Sequence, residues 1–162
     1  MSKRPHRVRT WAPRGQTPIL QYHFSWKVLS AAVGITWSNF YFRLYRRAIR
    51  AAEVVGFLGH LLRHLRGKLV VVWDGLPAHR GRVVKEFVAA QHGRLATEQL
   101  PAYAPELNPV EYIWGYWKHH ELPDFCPRDF AQLSYQARRA LRRMRRRPPL
   151  VRPFWHQAQL SL

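Results

Sequence analysis

Hydrophobic positions along this chain change period several times, and the changes divide it into elements. Thr17 to Phe24, Val28 to Thr36 and Asn39 to Tyr45 are rich in aromatic and β-branched residues, with turn formers such as Ser25 and Ser38 between them. That pattern predicts antiparallel strands joined by short connections. From Ile49 to Leu65 the spacing switches to three and four (Ala52, Val55, Leu58, Leu62, Leu65), a helical face that Gly67 closes. Leu69 to Trp73 is an unbroken apolar run, which predicts a strand buried on both faces in the middle of an α/β sheet. Val83, Val84, Phe87 and Val88 predict a helix ending by Gly93, and Leu95 to Leu100 a further short strand. Residues 3–15 are basic, turn-rich and without clear period, as in a loop or the ragged edge of a strand. The resulting order, three strands followed by alternating helices and strands, predicts a mixed sheet flanked by helices.

Asn108 followed by Pro109 marks a helix start: Asn accepts free amides, and proline in the first position forgoes no hydrogen bond. Val110, Ile113, Trp114 and Trp117 form its apolar stripe, and Leu122 to Pro127 break it. Phe130, Leu133, Ala137, Leu141 and Met144 then line one face of a last helix, which Pro148 and Pro149 stop. The rest of that helix carries Arg138, Arg139, Arg142, Arg143, Arg145, Arg146 and Arg147. There is no internal repeat. The chain divides at most into residues 1–125, holding the sheet, and residues 126–162, a basic helix and tail packed on it.

Charge narrows the functional classes. Lys and Arg number 27 against 9 acids, a formal net charge of +18 in 162 residues. Arginine bias by itself reflects codon usage as readily as phosphate recognition, but a GC-rich genome does not account for the net excess. Such a field favours a polyanion, most simply nucleic acid. No apolar run approaches the ~18 residues that span a bilayer, and no signal peptide is visible, so the sequence reads as a cytoplasmic, nucleoid-associated protein without a membrane partner. The single Cys126 excludes an internal disulfide and lacks zinc-ligand spacing.

The acidic residues are few enough to weigh one by one. Asp74 stands where the apolar strand emerges, and open α/β sheets bind ligands at the carboxyl ends of their strands; yet Asp-Gly is also a common turn pair. Glu111 sits three residues after Asn108, the spacing of a capping box in which Glu bonds back to the cap. His79 is either a phosphate- or ligand-orienting residue or, on the first turn of a helix, a cap or surface residue. His119, His120 and Glu121 are adjacent on a helix and point apart, which predicts a solvated helix end rather than a metal cluster. Trp11, Trp114 and Trp117 are expected in the core. Seven arginines between 138 and 147 without a compensating acid predict contact with phosphates, Arg138, Arg139, Arg142, Arg143 and Arg146 foremost.

Taken together, Trp11-Ala-Pro-Arg-Gly-Gln-Thr-Pro18, the strand ending in Asp74 with His79 five residues on, and Leu100-Pro-Ala-Tyr-Ala-Pro-Glu-Leu-Asn-Pro-Val-Glu111 closely resemble the catalytic domain of insertion-sequence transposases of the mariner-like DDE superfamily. The Pro-Glu-Leu-Asn-Pro-Val-Glu stretch is the most specific part, and the resemblance runs from about Arg9 to Trp117. It implies an RNase H-like fold in which Asp74 and Glu111 correspond to the second and third members of an Asp, Asp, Glu triad, with Asn108 and His79 in support. By the same resemblance these carboxylates hold two Mg²⁺ ions and the partners are transposon-end and target DNA. Hard oxygen ligands suit Mg²⁺, and paired ions suit in-line attack on phosphorus.

In the family the first Asp ends a central strand lying just ahead of the Trp-Ala-Pro segment. Here Met1 lies ten residues before Trp11, and no acid precedes Glu53. The resemblance therefore implies a fragment: an RNase H-like sheet lacking its first strand, inactive alone and poorly stable, completed by an upstream-encoded segment or a second protomer. The competing expectation is a non-catalytic basic nucleic-acid-binding protein, a transposase remnant in which the acids are caps.

Overall fold

The computed structural model describes residues 11–17, 19, 28–102 and 104–160. The strand expected over Thr17 to Phe24 falls largely outside the described residues. Ser30–Ile35 (β1) and Phe40–Tyr45 (β2) form an antiparallel hairpin in register from Ser30 opposite Tyr45 to Ile35 opposite Phe40. Its turn is closed by local polar groups. The Thr36 amide donates to the Asn39 carbonyl at 2.7 Å, and the Thr36 hydroxyl donates to the same oxygen at 2.9 Å.

After the hairpin comes the helix Ala51–His64 (α1), then Leu69–Trp73 (β3), the helix Arg82–Ala89 (α2) and Leu95–Gln99 (β4). β3 and β4 pair in parallel, Leu69 opposite Leu95 and Trp73 opposite Gln99, with α2 as the crossover. Arg94, at the entry to β4, donates to the Leu62 carbonyl at 2.6 Å and to that of Leu65 at 3.2 Å. It thereby satisfies carbonyls that the end of α1 leaves unpaired. The buried stripe of α1 is Val54, Phe57, Leu58, Leu61 and Leu62. It is rotated from the stripe expected from spacing: Ala52 is exposed and Val55 and Leu65 are only half-buried.

Pro109–Tyr116 (α3) begins as expected and continues as a wide turn through Glu121. Phe130–Arg145 (α4) follows, and beyond Pro148 and Pro149 a further helix forms, Val151–Gln157 (α5). The prolines end α4 but do not end the fold. Val151, Phe154 and Ala158 are buried at helical spacing, a signal already present in the sequence.

Two hydrophobic clusters result. Leu29, Phe40, Ile113, Trp117, Leu133, Leu141, Met144 and Phe154 join the hairpin to α3, α4 and α5. Val54, Leu58, Leu62, Val84 and Leu95 join α1 and α2 to the β3–β4 pair. Among the described residues the two sheets are not hydrogen-bonded to one another. This corrects the reading of Leu69 to Trp73 as buried on both faces: Val70 and Val72 are 61% and 56% exposed. Among the described residues β3 pairs with β4 alone, and it is the face carrying Leu69, Val71 and Trp73 that packs on the α1–α2 cluster.

Trp11 is corrected too. It stands 99% exposed, two residues ahead of a turn closed by the Gln16 amide on the Pro13 carbonyl at 3.0 Å, and is a member of neither cluster. Trp117 is buried as expected. No helix among the described residues is long and apolar enough to cross a membrane.

Candidate metal and nucleic-acid site

Asp74 follows the last residue of β3, and its carboxylate is held by its own loop. Oδ1 accepts the Leu76 amide at 3.2 Å, an Asx turn. His79 approaches from the next turn: its Nδ1 lies 3.0 Å from both the Asp74 carbonyl and Oδ1. As both partners are acceptors, Nδ1 carries the proton. The ring stacks on Trp73, centroids 4.5 Å apart and planes 8° from parallel. Sequence reasoning did not find Trp73 as the platform that orients His79.

Glu111 lies in the first turn of α3. Asn108 caps the helix as expected, its Oδ1 accepting the Val110 amide at 3.1 Å. The capping box does not close. Asn108's own amide donates to the Pro105 carbonyl at 3.0 Å, so the group to which Glu111 would bond is already used by the Pro105–Leu107 turn. Glu111 is exposed and lines the same cavity as Asp74, His79 and Asn108.

That cavity, of about 340 Å³, is lined by residues of β1, β3 and α1 together with the two carboxylates. Tyr112 ties α5 to the loop before α3, its hydroxyl lying 2.8 Å from the Gln157 carbonyl and 3.2 Å from that of Glu106. Trp155 of α5, another residue missed from sequence, donates through Nε1 to the Thr36 carbonyl at 3.0 Å and lines the cavity. Among the described residues no three His, Cys, Asp or Glu side chains converge on one point. The donor set on hand is thus two carboxylates of the hard-oxygen type that suits a divalent cation such as Mg²⁺.

The arginines of α4 divide into different roles. Arg143 is engaged: its Nε donates to Glu121 Oε2 at 2.6 Å, and Arg147 approaches Oε1 at 3.7 Å. His119 and His120 are exposed, as expected of a solvated helix end, but the Glu121 side chain is only 4% exposed, which corrects that expectation for Glu121. The wide turn over Trp117–Glu121 turns it inward beneath α4, where the two guanidiniums replace lost water. Arg145 lies over the Phe42 ring, 5.8 Å from its centroid. Arg138, Arg139, Arg142 and Arg146 are exposed, and none of the ion pairs among the described residues uses them.

A βαβ unit with a carboxylate at the strand's end, an antiparallel hairpin beside it and a helix presenting a second carboxylate make this a mixed α/β domain of RNase H-like architecture. The chain belongs to the DDE superfamily endonuclease family, which it matches over residues 1–133. Its fold is similar to that of Mos1 transposase in a paired-end complex with the left transposon end, at 18% identity and TM-score 0.69, covering 96% of this chain and 47% of that one. It is also similar to the catalytic domain of Mos1 mariner transposase, at 19% identity and TM-score 0.59, covering 80% and 66%. A third similar structure is the Mos1 catalytic domain with raltegravir and Mn, at 18% identity and TM-score 0.61, covering 86% and 72%. The chain thus spans about half the length of the transposase in the first of these complexes. No curated protein matches the sequence.

Proposed function

We propose that this chain supplies part of the catalytic domain of a DNA transposase that cuts and joins transposon-end DNA. The observation that carries this reading is the placement of Asp74 and Glu111, from elements far apart in sequence, on one cavity, with Glu111 released from its capping role by Asn108. Asp74 and Glu111 would hold the divalent ions, and His79 with the Leu76 amide orients the Asp74 carboxylate toward them. Magnesium bound there would supply stabilisation of charge building on phosphate oxygens. Two carboxylates do not complete the ligand set, so a further one comes from an upstream-encoded segment or a second protomer, and the chain alone is inactive. Arg138, Arg139, Arg142 and Arg146 contact the DNA backbone, while Arg143 chiefly secures Glu121. Mos1 structures holding transposon-end DNA and Mn or Mg support both the partner and the cofactor class. The protein acts on the nucleoid in the cytoplasm.

In a longer protein carrying an upstream Asp-bearing strand, Asp74→Asn and Glu111→Gln should each abolish strand cleavage and leave non-specific DNA binding intact. Cleavage surviving either change would overturn the catalytic reading. The arginine face and the net charge of +18 favour a second reading, a non-catalytic nucleic-acid-binding protein, for which neither carboxylate matters.

A further inference from the structure

Tyr135 of α4 holds its ring in the open. It is 63% exposed, and none of the ring contacts, arginine-over-ring contacts or hydrogen bonds among the described residues involves it. Every other tyrosine among those residues is engaged. Tyr41 packs its ring on His64 and Tyr116 on Phe154, and the hydroxyls of Tyr45 and Tyr112 donate to backbone carbonyls. A single exposed aromatic residue is ordinary; its place on this helix is not. At about 100° per residue, Arg142 and Arg146 fall within about 20° of Tyr135 around the helix axis, Arg139 about 40° to one side and Arg138 about 60° to the other. Arg138, Arg142 and Arg146 follow one another at about 6 Å along the axis. Arg143 and Arg145, about 80° away on the two flanks, are the ones taken up by Glu121 and by the Phe42 ring. No acid stands between Phe130 and Arg145. The exposed stripe is therefore one open ring in line with four arginines.

Ring and guanidiniums ask for different things of one ligand. The arginines take phosphates, and an aromatic ring gains from stacking on a flat π-face. In a duplex each base is covered by its neighbours, so a ring set in a phosphate track finds nothing to stack on. A strand with an unpaired base offers backbone and π-face together, whatever the base. We propose that this face of α4 binds DNA carrying an unpaired base, with Tyr135 stacked on that base and Arg138, Arg139, Arg142 and Arg146 on the adjoining phosphates. The proposal rests on the reading of those arginines as phosphate contacts. It adds a preference that charge alone does not give, because the denser charge of a duplex attracts arginine more strongly than a single strand does. The ring selects the unpaired state of the DNA and not its sequence.

The test uses the full chain, a blunt DNA duplex and the same duplex with a single-stranded extension in which one base is a fluorescent purine analogue that dims on stacking. The native chain should bind the extended DNA more tightly than the blunt one and dim the analogue. Tyr135→Ala should weaken the extended DNA by about five- to a hundredfold, leave the blunt duplex unchanged and abolish the dimming. Tyr135→Phe, which keeps the ring, should keep both the affinity and the dimming. The side chain is largely exposed, so neither change should move the melting temperature. Alanine at all four arginines should weaken both DNAs and flatten the salt dependence. If the arginine changes do so while Tyr135→Ala alters neither DNA, or both equally, the role of Tyr135 is overturned and the phosphate reading stands. If the arginine changes have no effect, both fall. Dimming that persists in Tyr135→Ala would also overturn the proposal, since the unpaired base would then lie elsewhere on the chain.

Discussion

His79 grips Asp74 at two points, its Nδ1 lying 3.0 Å from both the backbone carbonyl and the carboxylate Oδ1, while its ring lies flat on Trp73. The arrangement fixes one carboxylate oxygen and leaves the other to a ligand. It follows that His79→Phe, which keeps the stack but loses the hydrogen bonds, should lower divalent-ion affinity at Asp74 by about 10- to 100-fold, the usual cost of losing an orienting partner. Mn²⁺ titration of the two proteins measures this. His79→Asn, which restores a donor, should recover part of the loss.

Glu121 is a buried acid whose charge is met by Arg143 and Arg147. Glu121→Ala should destabilise the chain by about 1–3 kcal/mol, since two guanidiniums at the α4 surface lose their shared acceptor but can turn to solvent. Denaturant midpoints at equal slope read the difference. The change should leave DNA binding unchanged or slightly stronger, because it frees positive charge.

Replacing Arg138, Arg139, Arg142 and Arg146 by alanine together should make log affinity fall less steeply with log salt. Each phosphate that an arginine neutralises on duplex DNA adds about 0.9 to that slope, and each alanine takes its share away. Arg143→Ala should instead reduce stability more than it reduces the salt slope. Fluorescence anisotropy over a salt series separates the two.

His60 has its pKa lowered below the ordinary 6.5, first by burial and then by the nearby charges of His64, Arg43, Arg63 and Arg145. A folded-state pKa below the unfolded one means that unfolding takes up a proton. The stabilisation is therefore complete above about 6.5 and is lost as pH falls through that value toward the folded pKa. Melting temperature should drop between about pH 7.5 and about pH 5.5, and His60→Gln should flatten that dependence. Glu53 acts in the same direction further down: the Arg50 amide, followed by the charges of Arg47 and Arg50, lowers its pKa below the ordinary 4.5. Its contribution is present above that value and lost below it.

Local rules served the sequence reading well where an element is defined by its own residues. Asn108 and Pro109 start α3, and the run from Leu69 to Trp73 is a strand. What the run could not reveal is how many neighbours that strand has, because pairing on the second edge depends on another segment and leaves no mark on β3 itself. The same limit explains Glu121 and Trp11. Helical adjacency predicted divergent side chains at 119–121, but the wide turn after Trp117 redirects Glu121 beneath α4. A tryptophan's hydrophobicity says that it gains from burial, not that a partner lies within reach. At the site, Asp74, His79, Asn108 and Glu111 were legible from motif spacing. The supports Trp73, Tyr112 and Trp155 were not, since their hydrogen bonds and stacking reach across as many as 119 residues.

Whether Asp74 and Glu111 act as one divalent-ion site decides the catalytic reading. Mn²⁺ binding followed by electron paramagnetic resonance, on the native chain and on Asp74→Asn and Glu111→Gln, addresses it most directly. The expected result is a weak site in the native chain that either substitution removes, with melting temperatures unchanged. Equal Mn²⁺ binding by all three proteins would contradict it and leave the arginine face as the basis for function.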